Sequence, residues 1–140
     1  MTLIRAVVAD DDAEVRSLLV ALLRSDDRFD VVGEAADGGA LLEVVVQTRP
    51  DVVLLDVRMP GGGEEAARAL QDLPPVVVAV SAEAAPGTVA ALVRAGVRGY
   101  LAKGRLGPTL PDQVARCVHG EVILGVPTAA VALRQLIVGS

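Results

Sequence analysis

The sequence predicts an α/β domain, a doubly wound, five-stranded parallel sheet with helices on both faces. Short β-branched runs alternate five times with stretches of helical apolar spacing, the pattern of repeated strand–helix units. The central run, Val52-Val53-Leu54-Leu55, is apolar without interruption, as a parallel strand buried on both faces requires. Hydrophobic residues make up 52% of the 140 and aromatics only 1%, so the core must be built from Val, Leu and Ala, which suits a sheet covered by helices. A chain of this length forms one domain with a core that needs no staples.

The first strand, residues 4–9, runs into Asp10-Asp11-Asp12. From Ala13 onward, Val15, Leu18, Leu19, Leu22 and Leu23 recur at helical spacing behind Asp12, which is placed to cap them. Residues 29–35 form the second strand, with Gly33 marking a bulge, and residues 39–48 the second helix. The third strand, 52–56, ends on Asp56 and meets a breaker loop, Met59-Pro60-Gly61-Gly62-Gly63, whose three glycines predict mobility. A short helix over 64–72 stops at Pro74-Pro75, and the fourth strand, 76–80, ends on Ser81. Ala84 and Ala85 lead into Pro86, which starts a charge-poor helix closed by Gly96. Residues 98–102 form the fifth strand, ending on Lys103, and residues 109–118 the fifth helix. Residues 121–124 and a helix over 127–137 fall outside the alternation and read as a tail or the start of a linker, with Leu133, Leu136 and Ile137 packing on the body or on a partner chain. An ending on an apolar helix reads as an excised domain.

Charge and composition exclude several classes. A formal charge of −5 is wrong for gripping a nucleic-acid backbone directly. The single Cys117 excludes an internal disulfide, and neither it nor the single His119 has partners for zinc or catalysis. No signal peptide and no bilayer-length apolar run is present, so the expected setting is the cytoplasm, away from membranes.

Right-handed crossovers bring the carboxyl ends of all the strands to one edge of such a sheet, where ligands bind. That edge collects Asp10, Asp11, Asp56, Ser81 and Lys103. Singly each is ordinary: a cap, a turn residue, a surface hydroxyl, a solvated charge. Together they make a pocket in which three carboxylates repel, by roughly 1 to 4 kcal/mol per pair at 4 Å. Lys103 supplies one compensating charge, and an all-oxygen ligand set selects a hard cation such as Mg2+ for the rest. With that ion bound, an aspartate on an open loop can attack phosphorus.

These residues carry a resemblance. Val8-Ala9-Asp10-Asp11-Asp12, Asp56 followed by Arg58-Met59-Pro60-Gly61, Ser81, and Ala95-Gly96-Val97-Arg98-Gly99-Tyr100-Leu101-Ala102-Lys103 resemble the receiver domains of bacterial two-component response regulators. The resemblance covers about residues 4–118. It implies a flavodoxin- and CheY-like strand order of 2-1-3-4-5, a receiver over residues 1–124, and a C-terminal helix or linker over 125–140. Residues 31–35 and 120–124 are similar to the NarL/LuxR-type subfamily, whose DNA-binding helix-turn-helix would lie outside this chain. The resemblance makes Asp56 the phosphoacceptor, Asp11 a direct Mg2+ ligand and Asp10 a ligand largely through metal-bound water. The backbone carbonyl of Arg58 becomes a further ligand, Ser81 and Lys103 hold the phosphoryl oxygens, and Ser81 and Tyr100 form a switch. It implies a sensor histidine kinase as phosphodonor and a homodimer on activation, not an enzyme with a turnover of its own beyond slow self-dephosphorylation. The loop after Pro60 is one residue shorter than the family pattern, and Gly104 follows Lys103 where many relatives have Pro or Asp.

Other classes fit less well. A nucleotide or flavin binder wants amide donors in the first loop, where this chain has three aspartates. An aspartyl phosphatase wants its nucleophile and second acid two apart, followed by Thr or Val; Asp10-Asp11-Asp12-Ala13-Glu14 does not continue that way, and Asp56-Val57-Arg58 lacks the second acid. The glycine run is followed by no Lys-Ser or Lys-Thr and is no phosphate loop. The runner-up is a receiver that acts without phosphate as an interaction or dimerisation module.

Overall fold

The uninterrupted apolar runs become the middle of a parallel sheet. The computed structural model describes residues 2–61, 63–82 and 85–138; Gly62 of the loop and Ala84 lie outside the described residues. The elements are β1 (Ile4–Ala9), α1 (Ala13–Arg24), β2 (Phe29–Ala35), α2 (Gly38–Thr48), β3 (Val52–Asp56), α3 (Gly63–Leu70) and β4 (Val76–Ser81). They continue with α4 (Pro86–Arg94), β5 (Gly99–Ala102), a 3-10 turn (Lys103–Arg105), α5 (Leu110–Val118), β6 (Ile123–Gly125) and α6 (Ala129–Val138). The sheet order is β2-β1-β3-β4-β5-β6, with every neighbouring pair parallel.

Strand alternation sorts the core into two layers. Val7, Val53, Leu55, Ala79 and Tyr100 point to the face covered by α2, α3, α4 and α6. Ala6, Val8, Leu54, Val78, Val80 and Leu101 point to the face covered by α1 and α5. All five residues of β3 are buried, which is why that strand tolerates no alternation. The expected bulge is present: Ala6 pairs with Val31 but Val7 with Gly33, so Val32 is the extra residue.

The carboxyl end of the chain corrects the expected five strands to six. Residues 123–125 add to the sheet edge, pairing Gly99 with Ile123 and Leu101 with Gly125. Three residues are too few to show a strand period, so in sequence they looked like a tail. Helix α6 then folds back on α4, where Arg94 donates to the Gln135 carbonyl at 2.9 Å. Its anchor is Ala132, fully buried, whereas Leu133 and Ile137 are exposed and Leu136 is only half-buried. A small residue lets the two helices approach closely, and the larger side chains are turned away. Ala132→Asp would bury an unpaired charge there, which costs more than docking one short helix gains. Hydrogen exchange should then show amides 129–138 losing protection while β1 and β3 keep theirs; loss throughout the sheet would show that α6 belongs to the global core.

Candidate functional site

Because β1, β3, β4 and β5 are consecutive in the sheet, their carboxyl ends stand side by side. Ala9 pairs with Leu55, Asp56 with Val80, and Ser81 with Ala102, so Asp10, Asp56, Ser81 and Lys103 form one row along the edge. Three of these side chains are buried: Asp10 is 0% exposed, Asp56 3% and Ser81 2%. Asp11 is exposed at the rim. Lys103 reaches across the row, its Nζ 2.9 Å from Asp10 Oδ2 and 3.2 Å from Asp56 Oδ1.

Local hydrogen bonds fix the two acidic turns. Asp12 caps α1, its Oδ1 accepting from the Glu14 and Val15 amides at 2.9 and 3.2 Å, so the third aspartate of the run is structural. The Asp12 amide in turn donates to Asp10 Oδ1 at 2.9 Å and holds that carboxylate inward. Arg16, at the end of the first turn of α1, donates to the Asp10 carbonyl at 2.7 Å and pairs with Glu34 at 3.2 Å. After β3, the Arg58 amide donates to Asp56 Oδ1 at 3.1 Å, while the Arg58 side chain is exposed.

Charge governs what this arrangement can do. Burial pushes the Asp56 carboxyl up from its ordinary value; the Arg58 amide pulls it back down, the Asp10 charge raises it again and Lys103 lowers it, with a net rise. For Lys103, burial works against the ammonium, but its bonds to Asp10 and Asp56 more than reverse this and raise the group. Three carboxylates against one ammonium leave two negative charges at the pocket, which one divalent cation would neutralise.

The residues fit such an ion. One oxygen from each of Asp10, Asp11 and Asp56 lies within 4.8 Å of the others, and an octahedral Mg2+ with ligands at about 2.1 Å holds them roughly 3–4 Å apart. Asp10 Oδ2 is fully buried, with the Lys103 ammonium 2.9 Å away. That single ammonium is shared with Asp56, so the buried carboxylates keep room for a second positive partner.

Tyr100 sits two residues back from the end of β5, paired with Ala79 on β4 and Leu124 on β6, and is fully buried. Ser81 follows Ala79 by two residues, so it shares the sheet face of Tyr100, under α3 and α4. The structure therefore brings together every residue that the sequence singled out along the edge, with Tyr100 just behind Ser81. It adds two that sequence reasoning missed, Arg16 and Gly38. The Gly38 amide donates to the Pro60 carbonyl, in the loop after Asp56. Two glycines in succession at a helix start were the available signal, since each is about 1 kcal/mol worse than alanine in a helix.

Residues 6–114 match the model of the response regulator receiver domain. The chain belongs to that family. Over 124 residues the receiver is 36% identical to a probable transcriptional regulatory protein NarL from Mycobacterium tuberculosis, covering 86% of this chain and 57% of that protein. The solved receiver domain of NarL from the same organism superposes with a TM-score of 0.82 at 37% identity, over 86% of this chain and all of that one. A LuxR-family response regulator from Aurantimonas superposes at 0.86 with 25% identity, over 97% of this chain and 99% of that one. This is a receiver of the NarL/LuxR type with a CheY-like fold. The receiver spans a little over half the length of the curated relatives it matches. Among its described residues, no helix is long and apolar enough to cross a membrane.

Proposed function

We propose that Asp56 is the phosphoacceptor of this receiver, with Asp10, Asp11, Asp56 and the Arg58 carbonyl holding Mg2+. The observation that carries the reading is the row of buried Asp10, buried Asp56 and bridging Lys103, with Asp11 at its rim. In the reaction, an Asp56 oxygen attacks phosphorus and the bond from phosphorus to the donor histidine nitrogen of a sensor kinase breaks. The bonding electrons stay on that imidazole, which takes up a proton. Mg2+, when bound, offsets the repulsion between carboxylate and phosphoryl group. Lys103, already in contact with Asp56, pairs with a phosphoryl oxygen, and Ser81 donates to another.

The same row supplies a switch. A doubly charged group added to Asp56 draws Ser81 toward it, and the space opened on the shared face lets Tyr100 and its α4 neighbours repack. Two arrangements of one packed face, biased by a local charge, change the surface of α4, β5 and α5. In the full-length frame of the NarL-type relatives, the receiver set at 1–124 takes in β6 and the docked helix α6 as well, and a DNA-binding output domain is joined beyond them. Activation then dimerises the protein and controls transcription. The chain accepts a phosphoryl group and loses it slowly by hydrolysis; it performs no other turnover.

Intact mass after incubation with a small phosphodonor tests the reading. One phosphoryl adduct that forms only with Mg2+ is the expected result. A folded wild type that takes none would overturn it in favour of a receiver working without phosphate as an interaction or dimerisation module.

A further inference from the structure

The amino terminus of α2 is built against the loop that follows Asp56. Gly38 donates its amide to the Pro60 carbonyl at 2.9 Å. A Cβ on Gly38 would lie 1.8 Å from the Gly61 carbonyl oxygen and 2.6 Å from its carbon. These are backbone atoms, which cannot swing aside as a side-chain tip can, and ordinary contact would require them to retreat by about 1.6 Å. Gly39, next along the helix, is unlike it: a Cβ there meets nothing nearer than Asp37 Oδ1 at 3.5 Å. Helix capping does not explain Gly38 either, because the Asp37 side chain already accepts from the Ala40 amide at 2.8 Å.

The described residues on either side of the contact are held in place. At one end the Arg58 amide is bonded to Asp56 Oδ1, and Met59 is buried in the core. At the other, Gly63 has φ 62°, and a Cβ there would meet the Val57 carbonyl oxygen at 2.5 Å. Gly61 also lies in the left-handed region, at φ 64°. A push at Pro60 and Gly61 bears on the segment carrying the Arg58 carbonyl, two residues from Pro60 and two from Asp56.

We propose that Gly38 is a positioning residue for the phosphoacceptor loop: by admitting backbone contact between α2 and Pro60-Gly61, it sets where the Arg58 carbonyl stands for the cation. This rests on the phosphoacceptor reading above.

The test compares wild type, Gly38→Ala, Gly39→Ala, and Gly38→Ala with one glycine inserted after Gly61, each as the full chain. Mg2+ alone is titrated against backbone amide NMR signals, and melting without metal and adduct formation with a small phosphodonor are measured alongside. Gly38→Ala should weaken Mg2+ binding by about 10- to 100-fold, the usual cost of disturbing what orients a ligand, while Gly39→Ala stays within about twofold. The insertion should restore affinity by giving the loop room. Should Gly38→Ala fail to fold, the inserted variant decides alone: folding with near-wild-type Mg2+ affinity supports the proposal, and failure again overturns it. Unchanged affinity in Gly38→Ala, with a wild type that binds Mg2+ and takes phosphate, overturns the positioning role and leaves the phosphoacceptor reading standing. A wild type that does neither overturns both.

Discussion

Asp56→Asn should abolish phosphoryl transfer and, in Mg2+-free buffer at neutral pH, raise the melting temperature by about 3–6 °C. The first effect is simple, since the amide has no nucleophilic oxygen of comparable basicity. The second follows from the electrostatics of the row. Asp56 is buried beside Asp10, and burial, the larger cause, raises its carboxyl above the ordinary value. A carboxyl raised on folding binds its proton more tightly in the native state, so stability is highest in acid and falls as pH rises from the ordinary value through the raised one. At neutral pH the folded protein bears that cost in full. Asparagine removes the charge and keeps the oxygen that accepts from the Arg58 amide at 3.1 Å. Lys103 loses its 3.2 Å partner but keeps Asp10 at 2.9 Å. The advantage of the variant should therefore fade as pH drops toward 4. Mg2+ should reverse the ranking, because ligand at ten times its Kd stabilises the wild type by about 1.4 kcal/mol and the variant has lost one of its anionic ligands. An Asp56→Asn protein that melts below wild type at pH 7 without metal would show that the pair with Lys103 outweighs the burial cost.

How much of this was legible beforehand differs by element. The central sheet was, because strands buried on both faces must be apolar throughout, and Val52–Asp56 leaves no other reading. The edge was legible too: a polar residue at the end of an apolar run is conspicuous, and one topological rule gathers all four ends. Asp12 was rightly separated from Asp10 and Asp11 as a helix cap. What sequence concealed are contacts between backbones and small residues. Ile123–Gly125 joins the sheet with three residues, too short for any period to register. Ala132 anchors α6 on the body because it is small, whereas a sequence reading looks first to Leu133, Leu136 and Ile137, of which Leu133 and Ile137 are exposed and keep only the partner-chain alternative. Gly38 carries no side chain to attract notice, and its importance is the absence of one. Arg16 lies on the helix after the acidic turn and reads as a solvated charge until its bond to the Asp10 carbonyl is seen.

Lys103→Ala should destabilise the Mg2+-free protein by about 3–5 kcal/mol at neutral pH, the usual result of removing one partner from a buried ion pair. Here the exposure is sharply unequal: the lysine side chain is 20% exposed, but the carboxylates it serves are at 0% and 3%. Removing it leaves two buried negative charges facing each other. In the wild type the raised Lys103 group contributes stability that is complete below its ordinary value of 10.5 and lost as pH rises through the folded value, so the gap should narrow in strong alkali. It should narrow in acid as well, since without the ammonium the Asp56 carboxyl takes up a proton sooner and relieves the repulsion. Mg2+ should restore much of the loss, because the cation does for the carboxylates what the ammonium did. Combining Lys103→Ala with Asp56→Asn should cost less than Lys103→Ala alone, a non-additivity that a merely lost alkyl stem cannot produce. A loss that ignores pH, Mg2+ and the Asp56 substitution would mean that Lys103 acts by packing, and the charge balance of the site would have to be sought elsewhere.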